Sequence, residues 1–296
     1  MSSSANNIVI SPMNIYWRIE SEAALDFTGL TGADVKGKYI TLSSPTTDYY
    51  LWGDDSVEAD PAPAGKTAIP FTVVGDSDSD TTLAAAAQAA IDAEGDFGAS
   101  VSGKVVTYTA AAVGEVTDPA DVDSGIVVTV CRRGKDVDLG LLEGDVEPSL
   151  APANFQISAH QTGLTTLGLL NQGIETNEVT TVLQETGSSK LKEFYKIWGG
   201  AFTPGAGTEV FGVGTAVIGQ NMLIEAARLE MQPVNSLSGD LSYNYTIMLA
   251  LPVPESLTFS GENPRTLSVL WSGFPDLSKD SRVDSVLIGD PTQTGI

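Results

Sequence analysis

A chain of 296 residues allows one large domain or two ordinary ones, and 42% hydrophobic with 18% charged residues is the composition of a folded protein. It carries 15 basic against 38 acidic residues, a formal charge of -23, the wrong sign for gripping nucleic acid through its phosphates. A single cysteine, Cys131, forbids an internal disulfide or a cysteine-built metal site, and a single histidine, His160, leaves no multi-histidine site.

No apolar run is long enough to span a bilayer. The opening MSSSANNIVI lacks the basic patch and long apolar stretch of a signal peptide, so synthesis in the cytosol is expected. No G-x-S-x-G elbow occurs, and with so little His and Cys the chain reads as neither an enzyme nor the holder of a cofactor or metal.

Along the chain, β-branched or alternating segments recur between Gly, Pro, Asp and Ser clusters. The first candidate strands are Ile8 to Glu20, Tyr39 to Leu42 and Tyr49 to Trp52. The loop that follows, DPAPAGKTAIPF from Asp60 to Phe71, contains the tail of a phosphate-binding loop. Asp60 stands where that motif needs its first glycine, Pro61 and Pro63 withhold N–H groups, and Ile69 to Val74 reads as a strand where the motif needs a helix. A loop feeding a strand is therefore expected.

The spaced aspartates Asp76, Asp78 and Asp80 lack the central glycine and closing glutamate of a calcium loop. They precede an alanine-rich helix expected over Thr82 to Ala93, where acids and hydroxyls cap an N-terminus. Strands at Ser100 to Thr109 and Ile126 to Arg132 complete an α+β module over residues 36–130. That module holds 15 acidic and 4 basic residues and interrupts a β domain formed by 1–35 and 131–296. The aromatic run Tyr49, Tyr50 and Trp52 suits either of two roles: a surface platform on which sugars stack, or a small core of alternate rings.

Beyond the module, strands are expected at Asn154 to Ala159, Glu178 to Glu185, Met222 to Met231, Tyr243 to Pro252 and Arg265 to Trp271. A second helix, Ser188 to Trp198, places Leu191, Phe194, Tyr195 and Trp198 on one stripe and stops at Gly199-Gly200. Three strands alternate polar and apolar residues. Asn154, Gln156 and Ser158 oppose Phe155 and Ile157; Glu178 and Thr180 oppose Val179; Ser242, Asn244 and Thr246 oppose Tyr243, Tyr245 and Ile247.

The segment Asp136 to Val146, DVDLGLLEGDV, resembles the entry into the first hairpin of the tail tube (major tail) proteins of long-tailed bacteriophages. Further pieces follow in that family's order: the opening strand NIVISPMNIYWRI, the strand Val179 to Leu183 leading to the helix SSKLKEFYKIW, two long strands, then WSGFPD and DSVLIGD. The likeness covers roughly residues 1 to 30 and 131 to 296. The stretch from Lys38 to Thr109 looks like a small module of various phage structural proteins.

This resemblance implies a tail-tube-type β-sandwich or barrel with a flanking α-helix, plus a surface-exposed inserted α+β domain. It implies a virion protein without an active site, stacking as hexameric rings into a tube through which DNA is ejected. Its partners would be itself and other tail proteins such as baseplate, terminator and possibly sheath. On this reading Asn154, Gln156, Ser158, Glu178, Thr180, Glu225, Ser242, Asn244 and Thr246 face the channel, while the helix packs outside. Other virion roles also fit: a tail terminator, a head-decoration protein, or a module that binds host glycans through Tyr49, Tyr50 and Trp52.

Overall fold

The computed structural model describes residues 13–158, 166–184, 193–198, 200–203, 210–213, 221–234, 241–259, 265–275 and 286–289. It is mainly β, with large antiparallel sheets, and among the described residues no helix is long and apolar enough to cross a membrane. The chain divides into two compact units, one formed by Met1–Trp17, Val137–Met222 and Ala226–Ile296, the other by Arg18–Asp136 and Leu223–Glu225. The boundaries expected at 36 and 130 fall inside the second unit. The opening strand β1 (Met13–Asp26) continues into it, and the clip Leu223–Glu225 returns to it.

The unit built on Arg18–Asp136 contains α1 (Gly32–Val35), β2 (Tyr39–Ser43), β3 (Asp48–Asp54), β4 (Thr67–Thr72), α2 (Asp80–Asp92), β5 (Phe97–Ser102), β6 (Val105–Val113), β7 (Ala120–Val122) and β8 (Val127–Arg132). The second half of β1 lies between β6 and β8, and β5 pairs with β6, all antiparallel. A second sheet has the order β4-β3-β2-β7, with β3 and β4 parallel. Leu25, Phe27, Leu51, Phe71 and Val106 fill the core, and α2 adds Leu83, Ala84, Ala87 and Ile91. These helix residues recur at helical spacing, so one stripe is buried while Thr81, Ala85 and Ala89 stay exposed. Ser79 caps α2 by accepting from the Thr82 N–H, and Asp80 lies in the first turn, the role read from the aspartate run. DPAPAGKTAIPF becomes a loop turning at Gly65 (φ 77°) and then β4, with Ile69 and Phe71 inward and Pro70 outward.

Past β9 (Lys135–Asp138), the other unit contains β10 (Glu147–Ser158), β11 (Thr166–Leu183), β12 (Gly200–Thr203), β13 (Val210–Val213), β14 (Ala227–Pro233), β15 (Tyr245–Thr258), β16 (Thr266–Phe274) and β17 (Val286–Ile288). The main sheet runs β10-β11-β16-β15-β14, with β17 also on β15, while β12 and β13 pair with each other. Its core is aromatic. Trp17, Phe194 and Trp271 lie 5.7 to 6.2 Å apart in tilted or edge-on contacts. The indole N–H groups are paired within the unit: Trp17 donates to Ala250 O at 3.0 Å, Trp271 to Thr181 Oγ1 at 2.8 Å and Trp198 to Pro252 O at 2.8 Å. Phe194 is delivered by residues 193–196, the helical turn among the described residues of the expected second helix.

Candidate assembly surface

The segments expected at Asn154 to Ala159 and Glu178 to Glu185 are parts of two much longer strands. All of β10 pairs with β11, from Glu147 opposite Thr180 to Ser158 opposite Thr166, with three register shifts. On its other flank β11 meets β16 only between Glu178 and Leu183. Residues 147–158 and 166–177 thus form a two-stranded ribbon that no third described strand supports beyond Glu178. Such a ribbon is marginal in water by itself.

Its side chains deepen the problem. Leu150, Leu169, Leu170 and Ile174 are 46 to 59% exposed. Leu169 and Leu170 are consecutive, opposite Gln156 and Phe155, so the ribbon presents a large apolar group on each of its faces. Completing the burial of four such side chains is worth on the order of 1 kcal/mol each, since full burial gives about 1.5–3. Among the described residues the ribbon thus combines one-sided strand pairing with exposed apolar groups on both faces.

The residues expected to face a channel are distributed unevenly. Asn154, Thr180 and Ser242 are exposed, and Glu178 is half-buried. Gln156 and Ser158 continue β10, but their side chains lie outside the described residues. Asn244 is 2% exposed and Thr246 has no exposed surface, so neither faces open space. Thr246 pairs with Glu230 of β14 on one side and Leu287 of β17 on the other. Strand β15 is covered on both faces from Thr246 to Pro252. Alternation marks two faces of a strand, and it does not say which of them is covered.

Glu225 is also withdrawn from the solvent, at 7% exposure, because its segment is not a strand. It closes a 3-10 turn, Met222–Glu225, before β14 begins. Its carboxylate accepts from Arg133 Nη1 and pairs with Lys135 Nζ at 3.2 Å, and Lys135 is itself 2% exposed. Arg133 also grips Asp118, with Nη2 2.7 Å from Oδ2, and this bond more than any other raises its guanidinium pKa. The Arg133 N–H donates to Ile224 O at 3.0 Å. Glu225 therefore anchors a clip by charge pairing.

On the helical stripe, Phe194 is fully buried, whereas Tyr195 and Trp198 are half-buried; Leu191 lies outside the described residues. Ile197, absent from the expected stripe, is the second buried residue.

The run Tyr49, Tyr50 and Trp52 is not a surface platform. All three are at most 7% exposed, because β3 is an inner strand covered on both faces. Tyr49 packs edge-on to Phe97 at 5.2 Å and donates to Asp96 Oδ2 at 3.0 Å. Tyr50 turns to the opposite face, edge-on to Tyr39 at 5.8 Å, and donates to Asp60 Oδ1 at 2.7 Å. The aspartate that displaced a glycine in the apparent phosphate loop is thus the acceptor that closes the loop over this second aromatic layer.

The apolar groups on the ribbon escaped the sequence reading because residues 166–177 lie between the expected strands and were assigned no element. The signal was present in Leu169-Leu170, an adjacent apolar pair that no half-buried strand or surface loop needs. Compared with models of protein families and with curated proteins, the chain matches none.

Proposed function

We propose that this chain is a structural protein of a bacteriophage tail, assembling from copies of itself into stacked hexameric rings whose channel conducts DNA. The observation that carries the reading is the ribbon of β10 and β11, with Leu150, Leu169, Leu170 and Ile174 exposed and no third strand along residues 166–177 among the described residues. A solitary chain gains nothing from this ribbon, whereas neighbouring copies bury its apolar groups and satisfy its backbone. The order of motifs from Asp136 to Asp290 supports the same reading, and so does the charge. At a formal -23 per copy, a ring repels phosphates, so DNA slides without being trapped.

Raising the concentration of purified protein and imaging it by negative stain tests this. Rings or tubes are the expected result. A chain that stays monomeric at every concentration, with and without molecular crowding, would refute the proposal.

A further inference from the structure

Three tyrosines among the described residues are buried, and all three belong to the unit built on Arg18–Asp136. Two of their phenols donate directly to aspartates, Tyr49 to Asp96 and Tyr50 to Asp60. The third, Tyr108 on β6, does not. Only 3% exposed, it packs edge-on to Phe97 at 5.7 Å, yet no hydrogen bond joins its phenol to any described residue. An unpaired hydroxyl at that depth is costly, so its O–H calls for a partner.

The phenol lines a small cavity. Tyr108 and Val130 both stand opposite Ala23 of β1, and the register of both pairings shifts next to Glu22. A small side chain beside an irregular stretch of ladder leaves room that larger neighbours do not fill. Around the cavity, Ser21, Glu22, Asp118, Arg132 and Arg133 join Tyr108, and the rest of the wall is alanine, valine and proline. The space open to the centre of a water-sized sphere is about 10 Å³. One water needs about 10–15 Å³ by that measure. The charges of the wall cancel in pairs, Arg132 Nη1 lying 3.9 Å from Glu22 Oε2 and Arg133 Nη2 2.7 Å from Asp118 Oδ2. A polar cavity without net charge favours a neutral guest over an ion.

Asp118 supplies the acceptor. Arg133 Nε lies 3.2 Å from both carboxylate oxygens, and Nη2 approaches only one of them. A carboxylate offers about four lone-pair sites, so acceptor capacity remains. Burial pushes the Tyr108 phenol above its usual range, and after burial the charge of Asp118 contributes most. The two groups sense each other without a direct bond, a separation that a bridging water closes.

We infer that one water molecule occupies this cavity, accepting from the Tyr108 O–H and donating to the Asp118 carboxylate. The bridge joins the edge-on rings of Tyr49, Phe97 and Tyr108 to the ion cluster of Asp118, Arg133 and Glu225, which holds the clip Leu223–Glu225. It belongs to each copy of the chain, whether or not copies assemble.

A double-mutant cycle in the full chain tests it, with the unfolding equilibrium constant read from urea denaturation. Tyr108→Phe keeps the ring contact and removes only the donor. It is expected to raise that constant by about fivefold or more in the wild-type background, and by less than about twofold beside Asp118→Ala. A crystal structure at a resolution that places waters gives a second readout, which depends on neither variant folding. One water within hydrogen-bond distance of both Tyr108 Oη and an Asp118 oxygen is the expected result. Equal losses in the two backgrounds, a dry cavity, or a direct hydrogen bond between Tyr108 and Asp118 overturns the inference.

Discussion

Tyr50 shows how one residue joins the fold of the inserted unit to its loop. Burial, and then the hydrogen bond to Asp60, push its phenol up to about 12 from an ordinary value of 10.0. A raised folded pKa means that the neutral form is the one the fold stabilises. This contribution is fully present below pH 10 and is lost as pH rises through about 12. Wild-type stability should therefore fall over that window more steeply than that of Tyr50→Phe, which has no proton to lose there. At neutral pH the variant should be less stable by about 1–2 kcal/mol, because it loses a hydrogen bond to a carboxylate. Urea denaturation at a series of pH values measures both effects, and parallel profiles would show that Tyr50 is not the group titrating. Asp60 itself was legible only as the residue that spoils a phosphate loop; its acceptor role depends on a strand that brings Tyr50 beneath it.

Elements whose cause is local were legible, and elements whose cause is distant were not. The helix α2 was readable because its cap, its first-turn acid and its apolar spacing lie within fifteen residues, and the structure begins it at Asp80 rather than Thr82. Ser79→Ala removes the acceptor of the Thr82 N–H and should cost about 1 kcal/mol, with Ser79→Asp close to wild type; thermal unfolding of the three proteins compares them. Equal loss in both variants would mean that the serine side chain acts through packing rather than as a cap. The β10–β11 ribbon lay at the other extreme. Proline locally disfavours a strand, and only the pairing with β11 gives Pro148 and Pro152 their places in one. Glu225 failed for a similar reason: what fixes it, Arg133 and Lys135, is about ninety residues away. Thr246 failed because the polarity of a side chain says nothing about whether β14 and β17 will flank it.

For the molecule as a whole, charge would act against the proposed assembly. Each copy brings a formal charge of -23 to any contact with another. The ribbon offers no electrostatic relief, since between Glu147 and Leu183 the charged residues are Glu147, Glu175 and Glu178, with no lysine or arginine. Attraction between ribbons must then come from apolar burial and backbone pairing, neither of which salt weakens, while the repulsion between copies is screened as the Debye length shrinks from roughly 10 Å at 0.1 M to roughly 3 Å at 1 M. Self-association should accordingly strengthen with sodium chloride, the assembled fraction at fixed protein concentration rising severalfold between about 0.05 and 0.5 M by sedimentation velocity. An interface built on ion pairs would behave in the opposite way. If salt dissociated the assemblies, the contact would have to be sought where basic residues lie, around Arg228 or Arg265, and not along β10. DNA should stay unbound across the same salt range, because a surface short of cations has few counterion-releasing contacts to make with phosphate.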